Sequence, residues 1–219
     1  MVQAMSKPYS ETEFVDQITR DRTWRLKEIT DLKTAIVRAD ANLQSVLLRS
    51  IVTICYAHWE GYIRFSATKY LEHVAIRKLK FGELNSQFTR NYFLPRLTAL
   101  SKSNSNYKEN CDLIDNIQKC TEKRFTRVNE DLVNTKSNLN FSVFLDICLV
   151  CAIPSDQFQQ KKSFIDVVLL KRRNSIAHGE DTFINIDDLD EIVNETVSIM
   201  RGFGNALENS VLLKEYRAA

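Results

Sequence analysis

The sequence predicts an all-α protein, an up-down helical bundle around one long buried central helix. Two observations carry that expectation. Among 219 residues there are only five glycines and three prolines, where average usage gives about 26 of the two together. Gly and Pro punctuate turns and stop helices, and a sandwich, barrel or propeller needs many of them. The second observation is a set of long stretches with apolar residues at helical spacing and almost no Gly or Pro inside. The same shortage excludes a glycine-cradled phosphate site, because the chain contains no G-x-G-x-x-G and no G-x4-G-K.

The first helix has a clear start. Ser10, followed three residues later by Glu13, reads as a capping box, with Tyr9 and Phe14 placed to form a hydrophobic staple. Phe14, Ile18, Trp24, Ile29, Leu32 and Ile36 then give a loose stripe to about Arg38. The second helix spans about 41–80 with Gly61 as its one glycine. Its first half is apolar nearly all round, from Leu43 and Val46 to Cys55 and Tyr56, the mark of a buried helix. Its end is the basic run 77–80.

Residues 81–135 read as a mixed helical and loop insertion. Pro95 marks a break, 101–107 (SKSNSNY) a loop and 111–119 a short helix. A helix over 140–152 follows, ending before Pro154. The next opens at Ser163 with Asp166 as a weaker capping partner, and Gly179 stands where a C′ glycine stops a helix. Asp187 and Asp188 then cap a last helix over about 189–216.

The length suits one domain over 1–219, with 81–135 as its variable part. Hydrophobic residues at 44% and charged residues at 26% suffice for a proper core. No apolar run reaches the ~20 residues that cross a bilayer, and the first residues show no apolar signal region. The expectation is a cytoplasmic protein away from membranes. Net charge is +2, so nucleic-acid binding needs a local basic surface. The runs 77–80, 119–127 and 171–173 qualify, although charge runs are ordinarily solvated faces. Five cysteines, an odd number, suit a reducing compartment. Cys148 and Cys151 have C-x2-C spacing but lie in an apolar helix without a second pair, which points to core packing rather than zinc. No metal and no cofactor is expected.

One segment carries chemistry. Residues 171–180 read KRRNSIAHGE. His titrates near neutrality and serves as a general base or acid. Arg offers a fixed fork of donors suited to phosphate oxygens. The two suffice to cleave RNA without a metal. The base takes the ribose 2′-OH proton, the 2′-oxygen attacks phosphorus, Arg stabilises the phosphorane and the 5′-oxygen leaves. Position 178 falls at the negative end of the helix macrodipole, which suits a general acid or a phosphate contact. On an ideal helix, however, Arg173 and His178 lie roughly 140° apart, whereas Asn174 and His178 share a face. Either the helix end unwinds, or, as the preferred reading, a two-fold dimer with the motif on its seam brings two Arg, two Asn and two His into one cleft.

The segment RRNSIAHGE resembles the R-N-x-x-x-H motif of HEPN-domain ribonucleases. Two further stretches are similar to the HEPN-like nucleases encoded beside restriction-modification genes. One is 56–62 (YAHWEGY) after 47–50 (LLRS), and the other is 135–140 (TKSNLN) followed by a short helix. The match covers about 38–80 and 135–205 and leaves the insertion aside. The resemblance implies a HEPN-like bundle, a homodimer and a metal-independent endoribonuclease of phage defence or a toxin–antitoxin pair. Its partners would be RNA and an antitoxin or restriction-modification component. It gives Arg173 the phosphate, His178 the acid–base role and Asn174 the orienting role. Arg172, Lys171 and Glu60 then stand as substrate-binding candidates. HEPN toxins silenced by adenylylation carry a Tyr two residues after the His. Glu180 stands there, against that form of control.

Glu60 also fits an ordinary ion pair with Arg64, and Trp59 fits the core. His58 and His73 lack partners at helical spacing and read as structural or surface residues. The alternative function is a non-catalytic HEPN-type module that binds nucleotide or RNA, or docks a partner.

Overall fold

In a computed structural model, residues 6–102, 107–136 and 138–218 are described. Residues 103–106 of the expected 101–107 loop and Ser137 of the 135–140 stretch lie outside them. Among the described residues the chain is all-α, with two isolated β-bridges and no strand. No described helix is long and apolar enough to cross a membrane.

Three long helices form the frame: α1 (Glu11–Arg38), α2 (Ala41–Ile76) and α7 (Leu189–Leu212), each packed on the other two. Helix α3 is Ser86–Lys102, α4 is Tyr107–Gln118, α5 is Phe141–Val150 and α6 is Arg172–Ala177. The core between them is apolar and aromatic. Phe144 of α5 meets Trp59 of α2 at 6.1 Å, Phe203 of α7 at 5.7 Å and Phe158 at 5.0 Å between ring centroids. Gly204 marks a close approach of α7 to α2. A Cβ there would stand 2.2 Å from the Tyr62 hydroxyl oxygen and 2.7 Å from Arg22 Nη1. Gly204→Ala is therefore expected to cost about 1–3 kcal/mol by overpacking, read as a lower denaturation midpoint.

The start of α1 is the expected capping box. Ser10 Oγ accepts from the Glu13 amide at 3.0 Å and Glu13 Oε2 from the Ser10 amide at 2.9 Å. The staple is different. Tyr9 stays 61% exposed, while Phe14 packs against Tyr70 and His73. Backbone carbonyls tie the entering chain to α2 instead. Pro8 accepts from His73 Nδ1 at 3.1 Å and Tyr9 from Arg77 Nη2 at 2.7 Å. Arg77 also approaches the His73 ring from four residues on, a neighbour at helical spacing that the sequence reading missed.

Burial is the main force holding both histidines below their ordinary pKa. His58 lies buried 2.8 Å from Glu28 Oε2, and His73 has the Arg77 charge beside it. A depressed histidine pKa means that the unfolded chain binds more protons. Its contribution to stability is complete above the unfolded value near 6.5 and declines as pH falls below it. Melting temperature is expected to drop between about pH 7.5 and 5.5, and less so in His73→Gln.

Helix α2 is buried along its middle but not all round at its start. Leu43 is 50% and Val46 60% exposed, because α1 and α7 cover only one side of those turns. The break at Pro95 is absent. Helix α3 runs through it, giving up one main-chain bond at about 3 kcal/mol. Ring contacts of the turns before it hold the helix, Phe88 on Phe125 and Tyr92 on Phe81. The expected Ser163–Asp166 cap is also absent. Ser163 already lies inside a helical run, and Asp166 Oδ1 instead accepts the first amide of α5, Phe141, at 2.8 Å. Asp188 does not cap α7 either. Asn185 caps the turn Ile186–Asp188, and the Asp188 carboxylate is taken by Arg172 at 3.0 Å.

Glycine scarcity shows at the helix ends. Ala152, Lys78 and Lys214 adopt φ of 55°, 52° and 57°, the left-handed region where glycine is preferred. After α7 the Glu215 amide reaches the Ser210 carbonyl at 3.0 Å, a Schellman closure with a lysine in the glycine position. Lys214 is exposed. Lys214→Gly is expected to raise stability by about 0.5–1 kcal/mol, read by chemical denaturation.

Candidate active site at the C-terminal end of α6

The motif helix is entered through a π-helical segment, Phe164–Lys171, that runs without interruption into α6. Its wider turns accept bonds five residues apart and often occur at functional sites. Phe164, Ile165 and Leu169 are its buried side. Arg173 continues that inward row and so meets α2 rather than solvent.

Three contacts position Arg173. Its Nη1 donates to Asn174 Oδ1 at 2.8 Å. Its Nη2 lies 3.8 Å from Glu60 Oε2, both side chains being about 20% exposed. Its Cζ sits 4.0 Å over the Tyr56 ring centroid, a cation–π contact. The Tyr56 hydroxyl in turn accepts the Leu139 amide at 2.7 Å. Burial first, and then the Glu60 charge, push the Tyr56 phenol up to about 12, so it stays neutral. The Arg173 guanidinium is thus held in plane from below and from the side.

His178 is the C-cap of α6 and is exposed. The helix closes behind it in a Schellman motif. The Gly179 amide reaches the Ile176 carbonyl at 3.1 Å and the Glu180 amide the Ser175 carbonyl at 2.9 Å, with Gly179 at φ +77°. Arg49 of α2 pins the next residues, donating from Nη2 to the Glu180 carbonyl at 3.0 Å. His178 therefore stands on a closed helix end, open to solvent.

Of the sequence candidates, Arg173, Asn174 and Glu60 come together, and His178 projects from the same short helix. Glu60 turns to Arg173, not to Arg64. Its carboxylate is placed to orient the Arg173 guanidinium. Arg172 is turned away into its ion pair with Asp188, and Lys171 is exposed. Trp59 is fully buried and stacks edge-on against Tyr56 at 5.7 Å. Cys148 and Cys151 are fully buried core residues, their thiols pushed up by desolvation, Cys148 to about 12. Among the described residues no three His, Cys, Asp or Glu converge as a metal site.

Sequence reading missed Tyr56 and Arg49 as site supports. The signal was present: Arg49, Thr53, Tyr56 and Glu60 recur every three to four residues on an otherwise apolar helix. That spacing puts them on one side of α2, and contacts to α6 and the loop after it explain why that side is polar.

A family model described as RiboL-PSP-HEPN matches residues 20–209. The chain belongs to the RiboL-PSP-HEPN family. This HEPN membership agrees with the all-α fold and sets the function at a coarse level, a ribonuclease-type or RNA-related role. No curated protein and no solved structure matches the chain.

Proposed function

We propose that this HEPN protein is a metal-independent endoribonuclease, with Arg173 and His178 as its catalytic residues. The observation that carries the reading is a clamped Arg173 and an exposed His178 five residues apart on one short helix, with His178 at its closed end. His178 takes the proton of a ribose 2′-OH. The 2′-oxygen bonds to phosphorus, the P–O5′ bond breaks, and the 5′-oxygen receives a proton from an imidazolium or water. Arg173, fixed by Tyr56, Glu60 and Asn174, stabilises the added negative charge. The products are a 2′,3′-cyclic phosphate and a 5′-OH. DNA lacks the 2′-OH and stays uncut by this route.

The active unit in this reading is a two-fold dimer with the motif on its seam. A groove of about 390 Å³ beside the motif supports it, lined by Val46, Arg49, Ser50, Thr53, Ile54 and Ile176. Leu43, and Phe183 at 85% exposure, add apolar surface that a single chain leaves uncovered. Mixing Arg173→Ala and Ala-for-His178 chains tests the shared site. Partial cleavage by the mixture, with each parent inactive, is the expected result. An inactive mixture that forms heterodimers contradicts sharing. The biological setting that best fits such an activity is a prokaryotic defence or toxin effector, held by an antitoxin or a restriction-modification partner in the cytoplasm.

A further inference from the structure

Two basic runs, separated in sequence, lie side by side at the far end of α2. Arg124 Nη1 donates to the Lys78 carbonyl at 2.7 Å across 46 residues. The Phe81 amide reaches the Lys123 carbonyl and the Phe125 amide the Leu79 carbonyl, both at 2.9 Å. The bridge between Lys80 and Arg124 completes the join. These bonds bring 77–80 and 123–127 into one surface.

A groove of about 450 Å³ runs along that surface, lined by Lys7, Tyr9, Lys78, Thr126, Arg127 and Val128, with one carboxylate, Glu72. Glu72 is occupied by Lys69 at 2.8 Å. Lys7, Lys78 and Arg127 form no ion pair among the described residues. Tyr9 is the exposed aromatic that fails to staple α1. A second pocket of about 290 Å³ shares Arg127 and Val128 with it and carries Arg96 over the Tyr92 ring at 4.7 Å.

We propose that this surface anchors single-stranded RNA at a site remote from Arg173 and His178. The proposal rests on the RNA reading above. Unpaired cations track a phosphate backbone, and an exposed aromatic among them offers a face on which a base stacks. Separation follows from α2, which rises about 27 Å between Tyr56 and Val74 at 1.5 Å per residue. That is roughly eight phosphates at the 3.4 Å spacing of a stacked strand. An RNA long enough to reach both places is held at the anchor while it is cut. A very short one is not.

The test uses a fluorescent, unstructured RNA of about 24 nucleotides and the full chain carrying His178→Ala, which separates binding from cutting. Lys78→Glu with Arg127→Glu is expected to weaken binding at least about tenfold at low salt and to flatten the salt slope by about 1.4. Tyr9→Ala is expected to weaken it about tenfold. The same charge change on α1, Arg20→Glu with Lys27→Glu, leaves binding unaltered. With His178 intact, Lys78→Glu/Arg127→Glu raises KM for the long RNA and leaves kcat, and cleavage of an RNA of about four nucleotides, unchanged. A chain that cuts no RNA, yet loses binding in the groove variants, defeats the nuclease reading and supports the anchor. Equal binding by wild type and Lys78→Glu/Arg127→Glu overturns the anchor, as does equal weakening by the α1 pair. Capture on phosphatidylserine vesicles without RNA binding also overturns it.

Discussion

Arg173→Ala and His178→Ala are each expected to lower RNA cleavage by about 10²–10⁴-fold with the melting temperature nearly unchanged. The two halves of that expectation have separate causes. His178 is exposed at a helix C-cap, so truncation leaves the fold nearly unchanged. Its removal takes away the group that moves the proton. Arg173 is partly buried, and its truncation frees Glu60 beside the Tyr56 ring. Glu60 keeps some access to solvent, so the structural cost stays small. Arg173→Lys is expected to recover little, because an ammonium cannot reproduce the flat fork that lies on Tyr56 while reaching Asn174. Steady-state rates on a defined RNA, set beside melting curves of the same samples, check both halves.

The largest expected loss of stability is elsewhere, at Trp59. Its side chain is fully buried and touches Tyr56 and Phe144, which links α2 to α5 and, through Phe203, to α7. Trp59→Ala is expected to cost about 3–5 kcal/mol, from lost burial and the cavity left behind. Trp59→Phe is expected to cost far less. The indole Nε1 is buried without a partner among the described residues, so Phe removes an unsatisfied donor along with some volume. Urea denaturation of both variants measures the contrast. Because Tyr56 leans on Trp59, the alanine variant should also lose activity at temperatures where it remains folded.

Local features were legible in the sequence. The α1 capping box and the Gly179 stop depend on neighbours within a few residues, and pattern reads such neighbours well, whereas α2 stops at Ile76, about four residues before the expected end. What escaped is decided across the chain. Asp166 caps α5 rather than its own helix because the Phe141 amide lies in reach. Asp188 is drawn to Arg172. Pro95 is carried inside a helix by ring contacts formed before it. Tyr56 looked like core, and only the approach of α6 makes it the platform for Arg173. The basic runs 77–80 and 119–127 looked like solvated faces until two backbone bonds set them together. At the motif the sequence marked Arg173, Asn174 and His178 by type and spacing. The clamp that distinguishes Arg173 from its neighbour Arg172 is tertiary.

The central claim is that His178 and Arg173 cut RNA through the 2′-oxygen. Mapping the ends of RNA cleaved by the purified protein in EDTA tests it most directly. The expected products carry 2′,3′-cyclic phosphate and 5′-OH ends, and they vanish with His178→Ala. Products with 5′-phosphate and 3′-OH ends, or undiminished cleavage by His178→Ala, would contradict it.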